Sequence, residues 1–86
     1  MMFKIRWGEK AINFLDKLDV LLSRRIIKKM NELIENPFSK DIKKLKGENT
    51  FRFRVGDYRI LLDINVKNRI ISVLGLGHRK NIYKRN

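Results

Sequence analysis

Between Met2 and Trp7 the chain alternates, with Phe3, Ile5 and Trp7 on one parity and Lys4 and Arg6 on the other. A period of two with one apolar side predicts a half-buried strand. Gly8 closes that stretch and can cap a helix beginning after it, and Glu9 suits the first turn of that helix. Ala11, Ile12, Leu15 and Leu18 then recur at helical spacing, with Lys10, Asn13, Asp16 and Lys17 on the remaining surface. Asp19 interrupts this run and reads as the N-cap of a second helix. Its apolar stripe is Leu22, Ile26, Met30 and Leu33, widened by Ile27 and Ile34, while Arg24, Arg25, Lys28 and Lys29 face away. Asn36-Pro37 ends it. So short a connection predicts an antiparallel helical hairpin.

Residues 38–50 read as a polar, basic connection broken at Gly47. The period then returns to two. Phe51, Phe53 and Val55 alternate with Arg52 and Arg54; Gly56-Asp57 makes a two-residue turn; Tyr58, Ile60, Leu62 and Ile64 alternate with Arg59, Leu61 and Asp63. This is the pattern of a β-hairpin. Asn65–Asn68 form another polar turn. Ile70–Leu76 give a last strand that is apolar on both parities, so its inward face is not assigned by period, and Gly77–Asn86 form a basic tail. The order is β-α-α-β-β-β. It predicts a single α+β domain over residues 1–86, with the helical hairpin packed on one face of a mainly antiparallel four-stranded sheet.

Composition narrows the chemistry. Hydrophobic residues make up 43% of the 86 positions, enough for a packed core in spite of a formal net charge of +12. The chain has no cysteine and one histidine, which excludes a disulfide scaffold, a thiolate zinc site and a cysteine nucleophile. No apolar run approaches the roughly 20 residues of a membrane span, and the N-terminus does not read as a signal peptide. The expectation is a soluble, cytoplasmic, basic domain whose partner is a polyanion or an acidic protein. The charge is uneven. Residues 40–86 hold 13 basic and 4 acidic side chains, against 8 and 5 in residues 1–39.

The hairpin concentrates this charge. With Gly56-Asp57 as its loop, Val55 faces Tyr58, Arg54 faces Arg59, and Arg52 faces Leu61. Arg52, Arg54 and Arg59 then converge on one sheet face. Like charges directly opposite each other are destabilising, and no acidic residue is interleaved in the cluster, so an anion site is favoured over a solvated face. Further along, Gly75, Gly77 and Arg79 share a parity. The glycines mark either a bulge or a place where a ligand approaches the backbone. Tyr83 either stacks on a base or packs the tail onto the sheet. His78 is the one side chain that titrates near neutrality, and Lys43, Lys44 and Lys46 form a basic loop suited to solubility or to phosphate contacts. Asp41, Glu48, Asp57 and Asp63 do not pair at the close spacing that two-metal catalysis needs, and neither a metal nor a cofactor is expected.

Lys44-Leu45-Lys46-Gly47, then Phe51-Arg52-Phe53-Arg54-Val55-Gly56-Asp57-Tyr58-Arg59-Ile60, then Gly77-His78-Arg79 and Tyr83, resemble the RelE/ParE superfamily of toxin–antitoxin toxins. The resemblance implies the RelE-like microbial RNase fold and, on the RelE side, a metal-independent mRNA endoribonuclease (an mRNA interferase) acting in the ribosomal A site. There the ribose 2′-OH attacks the neighbouring phosphate, leaving a 2′,3′-cyclic phosphate and a 5′-OH; translation is inhibited and growth arrests. By this resemblance the site comprises Arg52 and Arg54 before the hairpin turn, Arg59 after it, Arg79 after the last strand, and Tyr83. Well-studied ribosome-dependent members carry lysine at the positions of Arg52 and Arg54. Arginine keeps its proton throughout the physiological range and is a poor general base. Arg52, Arg54 and Arg59 would therefore hold the phosphate and stabilise its developing charge, and Arg79 would stabilise the transition state or the leaving 5′-oxygen. Tyr83 would orient the nucleotide, and His78 is the candidate proton acceptor. Lys43, Lys44, Lys46 and Lys80 would contact RNA or the ribosome. The implied partners are the ribosome with its mRNA and a cognate acidic, RelB-like antitoxin, with operator DNA bound only through the antitoxin complex. Two alternatives are a ParE-like toxin that acts on DNA gyrase without cutting RNA, and a basic RNA- or ribosome-binding protein without catalysis.

Overall fold

The first strand, β1 (Lys4–Trp7), does not pair with its sequence neighbours but runs parallel to the last, β5 (Ile70–His78). A computed structural model describes residues 2–45 and 50–82, with Ile82 described by its backbone only. Between these strands lie α1 (Glu9–Asp16), α2 (Val20–Asn31), β2 (Ile42–Lys44), β3 (Thr50–Val55) and β4 (Tyr58–Asn65); a short α3 (Arg79–Ile82) comes last. The sheet order is β1-β5-β4-β3-β2, and every pairing except β1 with β5 is antiparallel. No helix among the described residues is long and apolar enough to cross a membrane.

Gly8 joins β1 to α1, and its backbone is held closely. Its N–H donates to the Val73 carbonyl at 2.9 Å, and its own carbonyl accepts from Ile12 at 3.0 Å to start the helix. A Cβ here would lie 2.7 Å from the Val73 oxygen, so only glycine fits without a shift. Asp19 caps α2 as its sequence position implies, with Oδ2 accepting from the Leu22 N–H at 3.3 Å. The helix itself is shorter than its apolar stripe. Regular turns stop at Asn31, and the Leu33 and Ile34 N–H groups bond three residues back, to Met30 and Asn31. This tightening keeps Leu33 in the core while its neighbour Ile34 offers its carbonyl to the Phe3 N–H at 2.7 Å.

The core lies between the helices and one sheet face. Ile26 and Met30 of α2, Ile60 and Leu62 of β4, and Ile71 and Val73 of β5 are its largest fully buried side chains, joined by Ala11 of α1 and by Phe53 and Val55 of β3. At about 25 cal/mol per Å² of apolar surface, each of these larger residues stabilises the fold by roughly 1.5–3 kcal/mol.

The sheet has five strands, not four. The additional one, β2, comes from the stretch expected to be a polar connection: Ile42, Lys43 and Lys44 pair with Phe53, Arg52 and Phe51. Three residues carrying one apolar side chain show no readable alternation, so pairing with β3 rather than local pattern makes this a strand. Residues 46–49, including the break expected at Gly47, lie outside the described residues. The tail also begins later than its composition suggests, since β5 continues through His78 and Arg79 opens α3.

In β5 the apolar residues of both parities have a single cause. The register against β4 slips between Leu61 and Leu62: Leu61 pairs with Gly75, but Leu62 pairs with Val73. Leu74 is the extra residue of this bulge and is 47% exposed. Before the bulge Ile71 and Val73 face the core; after it Leu76 does. A bulge exchanges the two faces along a strand, and this one turns Gly75 and Gly77 toward the side opposite the helices.

Candidate functional site

The hairpin register is the one its turn implies. Val55 pairs with Tyr58, Arg54 with Arg59 and Arg52 with Leu61. Gly56 takes φ +57°, as a two-residue turn of this kind requires. Phe53, Val55 and Ile60 therefore enter the core, and Arg52, Arg54 and Arg59 share the opposite face. Pairings on either side extend this face into two cross-strand rows. One runs Lys43, Arg52, Leu61, Gly75; the other runs Arg54, Arg59, Gly77. A Cβ at Gly75 would meet nothing within 4 Å, so the floor beside Leu61 is open.

A cleft of about 260 Å³ lies at the β2 side of these rows, lined by Lys40, Asp41, Lys43, Arg52, Arg54 and Arg59. Five of the six described residues that line it are cationic. Lys40 and Asp41 were not singled out by the sequence, because both belong to the segment read as a connection. Asp41 corrects the expectation of a cluster without acidic residues. Its Oδ1 accepts from Arg54 Nη2 at 2.8 Å, and its backbone carbonyl accepts from the Arg54 N–H at 3.0 Å.

This contact explains how Arg54 and Arg59 tolerate being directly opposed. Arg54 reaches outward to Asp41. Arg59 turns back instead, and its Nη1 donates to the carbonyls of Gly56 at 2.9 Å and Tyr58 at 3.0 Å. The two guanidiniums are held by different anchors, each with further N–H groups for an anion.

The remaining candidates divide. Arg79 is tied to the hairpin tip: its N–H donates to the Asp57 carbonyl at 2.8 Å, and its Nε lies 3.8 Å from Asp57 Oδ1. His78 pairs with Tyr58 in the register, on the parity opposite to Gly77 and hence on the helix side of the sheet. Its ring packs edge-on against Tyr58, with centroids 5.4 Å apart, and Tyr58 in turn meets Phe14 of α1 at 6.4 Å. His78 Nδ1 accepts from the Lys80 N–H at 3.1 Å, which leaves the proton of the neutral ring on Nε2. The structure thus separates His78 from the arginine cleft. Lys43 joins the cleft, Lys44 has the opposite parity on β2 and is exposed, and Lys80 is exposed on α3. Tyr83 and Lys46 lie outside the described residues.

A mixed sheet with helices on one face and a cationic cleft on the other defines a small basic α+β domain suited to binding an anion. The family model for the ParE toxin of type II toxin–antitoxin systems, parDE, matches residues 5–83. The protein of Methanocaldococcus jannaschii that carries the toxin name RelE1 is 38% identical over 66 residues, covering 67% of this chain and 73% of that one. Among solved structures, the archaeal RelE–RelB complex of Pyrococcus horikoshii aligns at TM-score 0.83 with 26% identity, covering 94% of this chain and 99% of the other. The RelBE2 toxin–antitoxin complex of Mycobacterium tuberculosis aligns at TM-score 0.81 with 26% identity over 92% and 100%. The RelB–RelE antitoxin–toxin complex of Methanococcus jannaschii aligns at 0.68 with 32% identity over 92% and 95%. The chain belongs to the RelE/ParE family of toxins of type II toxin–antitoxin systems.

Proposed function

We propose that this toxin is a ribosome-dependent mRNA endoribonuclease. The observation that carries the reading is the cleft where Lys43, Arg52, Arg54 and Arg59 meet on the uncovered sheet face beside Gly75 and Gly77. Guanidiniums fork onto phosphate oxygens, and opposed arginines held by separate anchors form a preorganised anion site. In the reaction the 2′-oxygen bonds to phosphorus as the bond from phosphorus to the 5′-oxygen breaks. Arg52, Arg54 and Arg59 hold the non-bridging oxygens and stabilise the added charge. Arg79, at the hairpin tip, serves the leaving 5′-oxygen, and Tyr83 orients the nucleotide.

The 2′-OH proton needs an acceptor. Arginine does not serve, and His78 sits on the far face of the sheet. The Asp41 carboxylate lines the cleft, held by Arg54, and is assigned that role. The RelB complexes of the similar toxins support an acidic, RelB-like antitoxin as the partner of this chain. Such a segment complements a net charge of +12.

Purified protein added to translating ribosomes tests the reading. The expected products are mRNAs cut in the A site, with 2′,3′-cyclic phosphate and 5′-OH ends, and no cutting by Arg59→Ala. The matching family model bears the ParE description, so gyrase inhibition with intact mRNA is the competing outcome. Ribosome binding without either effect would identify a non-catalytic RNA-binding protein.

A further inference from the structure

We infer that Asp57 is a positioning residue: the Gly56-Asp57 turn sets the two arginines that flank the reacting phosphate, and the Asp57 carboxylate aims Arg79. The inference rests on the cleavage reading above. Three consecutive residues of the turn hold two arginines from different elements. Gly56 and Tyr58 offer their carbonyls to Arg59 Nη1, at 2.9 and 3.0 Å, while Asp57 between them offers its carbonyl to the Arg79 N–H at 2.8 Å. The carboxylate adds a second hold on Arg79, through Nε at 3.8 Å. An ion pair on the Nε side, longer than a hydrogen bond, draws the guanidinium toward the turn and leaves its Nη1–Nη2 end for a phosphate, the geometry of a bidentate fork.

Arg79 opens α3, and that helix has four residues. So short a helix does little to fix the direction of a long side chain on its own. The tie to the turn supplies what the helix does not, and it joins Arg79 to the strands that carry Arg54 and Arg59. Turn chemistry alone does not call for a charge here. Asparagine suits such turns beside glycine as well as aspartate does, so Asp57→Asn keeps the turn and its backbone bond to Arg79 and removes only the carboxylate's charge.

The test compares the native protein with Asp57→Asn, Asp57→Glu, Arg79→Ala and the Asp57→Asn/Arg79→Ala double variant in single-turnover cleavage on programmed ribosomes. Asp57→Asn is expected to lower kcat about tenfold with KM nearly unchanged, because a misdirected catalytic group costs rate rather than binding. Asp57→Glu should retain most of the native rate. In the Arg79→Ala background the Asp57→Asn change should have no further effect. An unchanged kcat in Asp57→Asn, or a full tenfold loss persisting without Arg79, overturns the inference.

A second measurement does not depend on cleavage. The Arg79 Nε–Hε resonance should move in Asp57→Asn and stay in place in Asp63→Asn; equal shifts in the two variants also overturn the inference. If the native protein cuts no mRNA but the resonance moves as expected, the cleavage reading fails and the positioning of Arg79 by Asp57 stands.

Discussion

Asp41→Asn separates the catalytic role of this carboxylate from its structural one, because the two predict effects of very different size. Among the described residues the side chain makes one ion pair, to Arg54 at 2.8 Å, with Asp41 29% and Arg54 62% exposed. Pairs this open to water contribute about 0.2–1 kcal/mol. The backbone bonds of Asp41, to the Arg54 N–H and from its own N–H to Ser39 Oγ, survive the substitution. The expected loss of stability is therefore below about 1 kcal/mol, a fall in Tm of no more than about 4–8 °C for a domain of this size. Binding should move the other way. Removing a negative charge from a cleft of five cations raises its attraction for phosphate, so the affinity for programmed ribosomes should hold or increase. Only the chemical step should suffer, by about 10²–10⁴-fold if Asp41 accepts the 2′-OH proton. Single-turnover cleavage at saturating protein gives the rate, ribosome co-sedimentation gives the affinity, and circular dichroism gives Tm. A rate within about threefold of native, with the fold intact, refutes the assignment of Asp41 as base. A rate loss matched by lost ribosome binding refutes it too.

Further predictions concern the frame around the site. Ile60→Ala removes a fully buried side chain from the central strand β4 and should cost about 2–5 kcal/mol in urea unfolding, a large part of the stability of so small a domain. Gly8→Ala places a methyl 2.7 Å from the Val73 carbonyl, so the β1–β5 junction must shift; thermal unfolding should register a loss of about 1–3 kcal/mol. Gly75→Ala meets no neighbour and should leave Tm unchanged or slightly raised, so that lost cleavage in this variant would report contact between RNA and the sheet floor. Arg59→Lys keeps the charge but has one nitrogen where the guanidinium has Nη1 for the Gly56 and Tyr58 carbonyls and further N–H groups for phosphate, and should lower kcat by about tenfold with little change in Tm.

Much of the architecture is visible in local pattern because local physics produces it. Period two before Gly8 and after residue 50, period near four between them, an Asp at the head of α2 and Gly-Asp between two alternating runs each specify their element and its buried side. The arginine face arises from the same facts. Once a two-residue loop is recognised, its register is settled, and Arg54 must face Arg59.

What local pattern does not carry is anything decided by a partner strand. Ile42–Lys44 become β2 only because β3 offers them an edge. That pairing brings Lys40 and Asp41 to the arginines and places a carboxylate in the cleft. The bulge at Leu61 and Leu62 is likewise invisible in a run apolar on both parities, yet it decides that Gly75 and Gly77, and not Leu76 and His78, share the face of Arg59. The sequence alone determined β1, the two main helices, the β3–β4 hairpin with its register, the last strand and the location of the excess charge, since these depend on side-chain periodicity and turn chemistry within a few residues. Tertiary structure alone decided which carboxylate enters the cleft, which face His78 takes and what holds Arg79, because hydrogen bonds between segments distant in the chain set each of these.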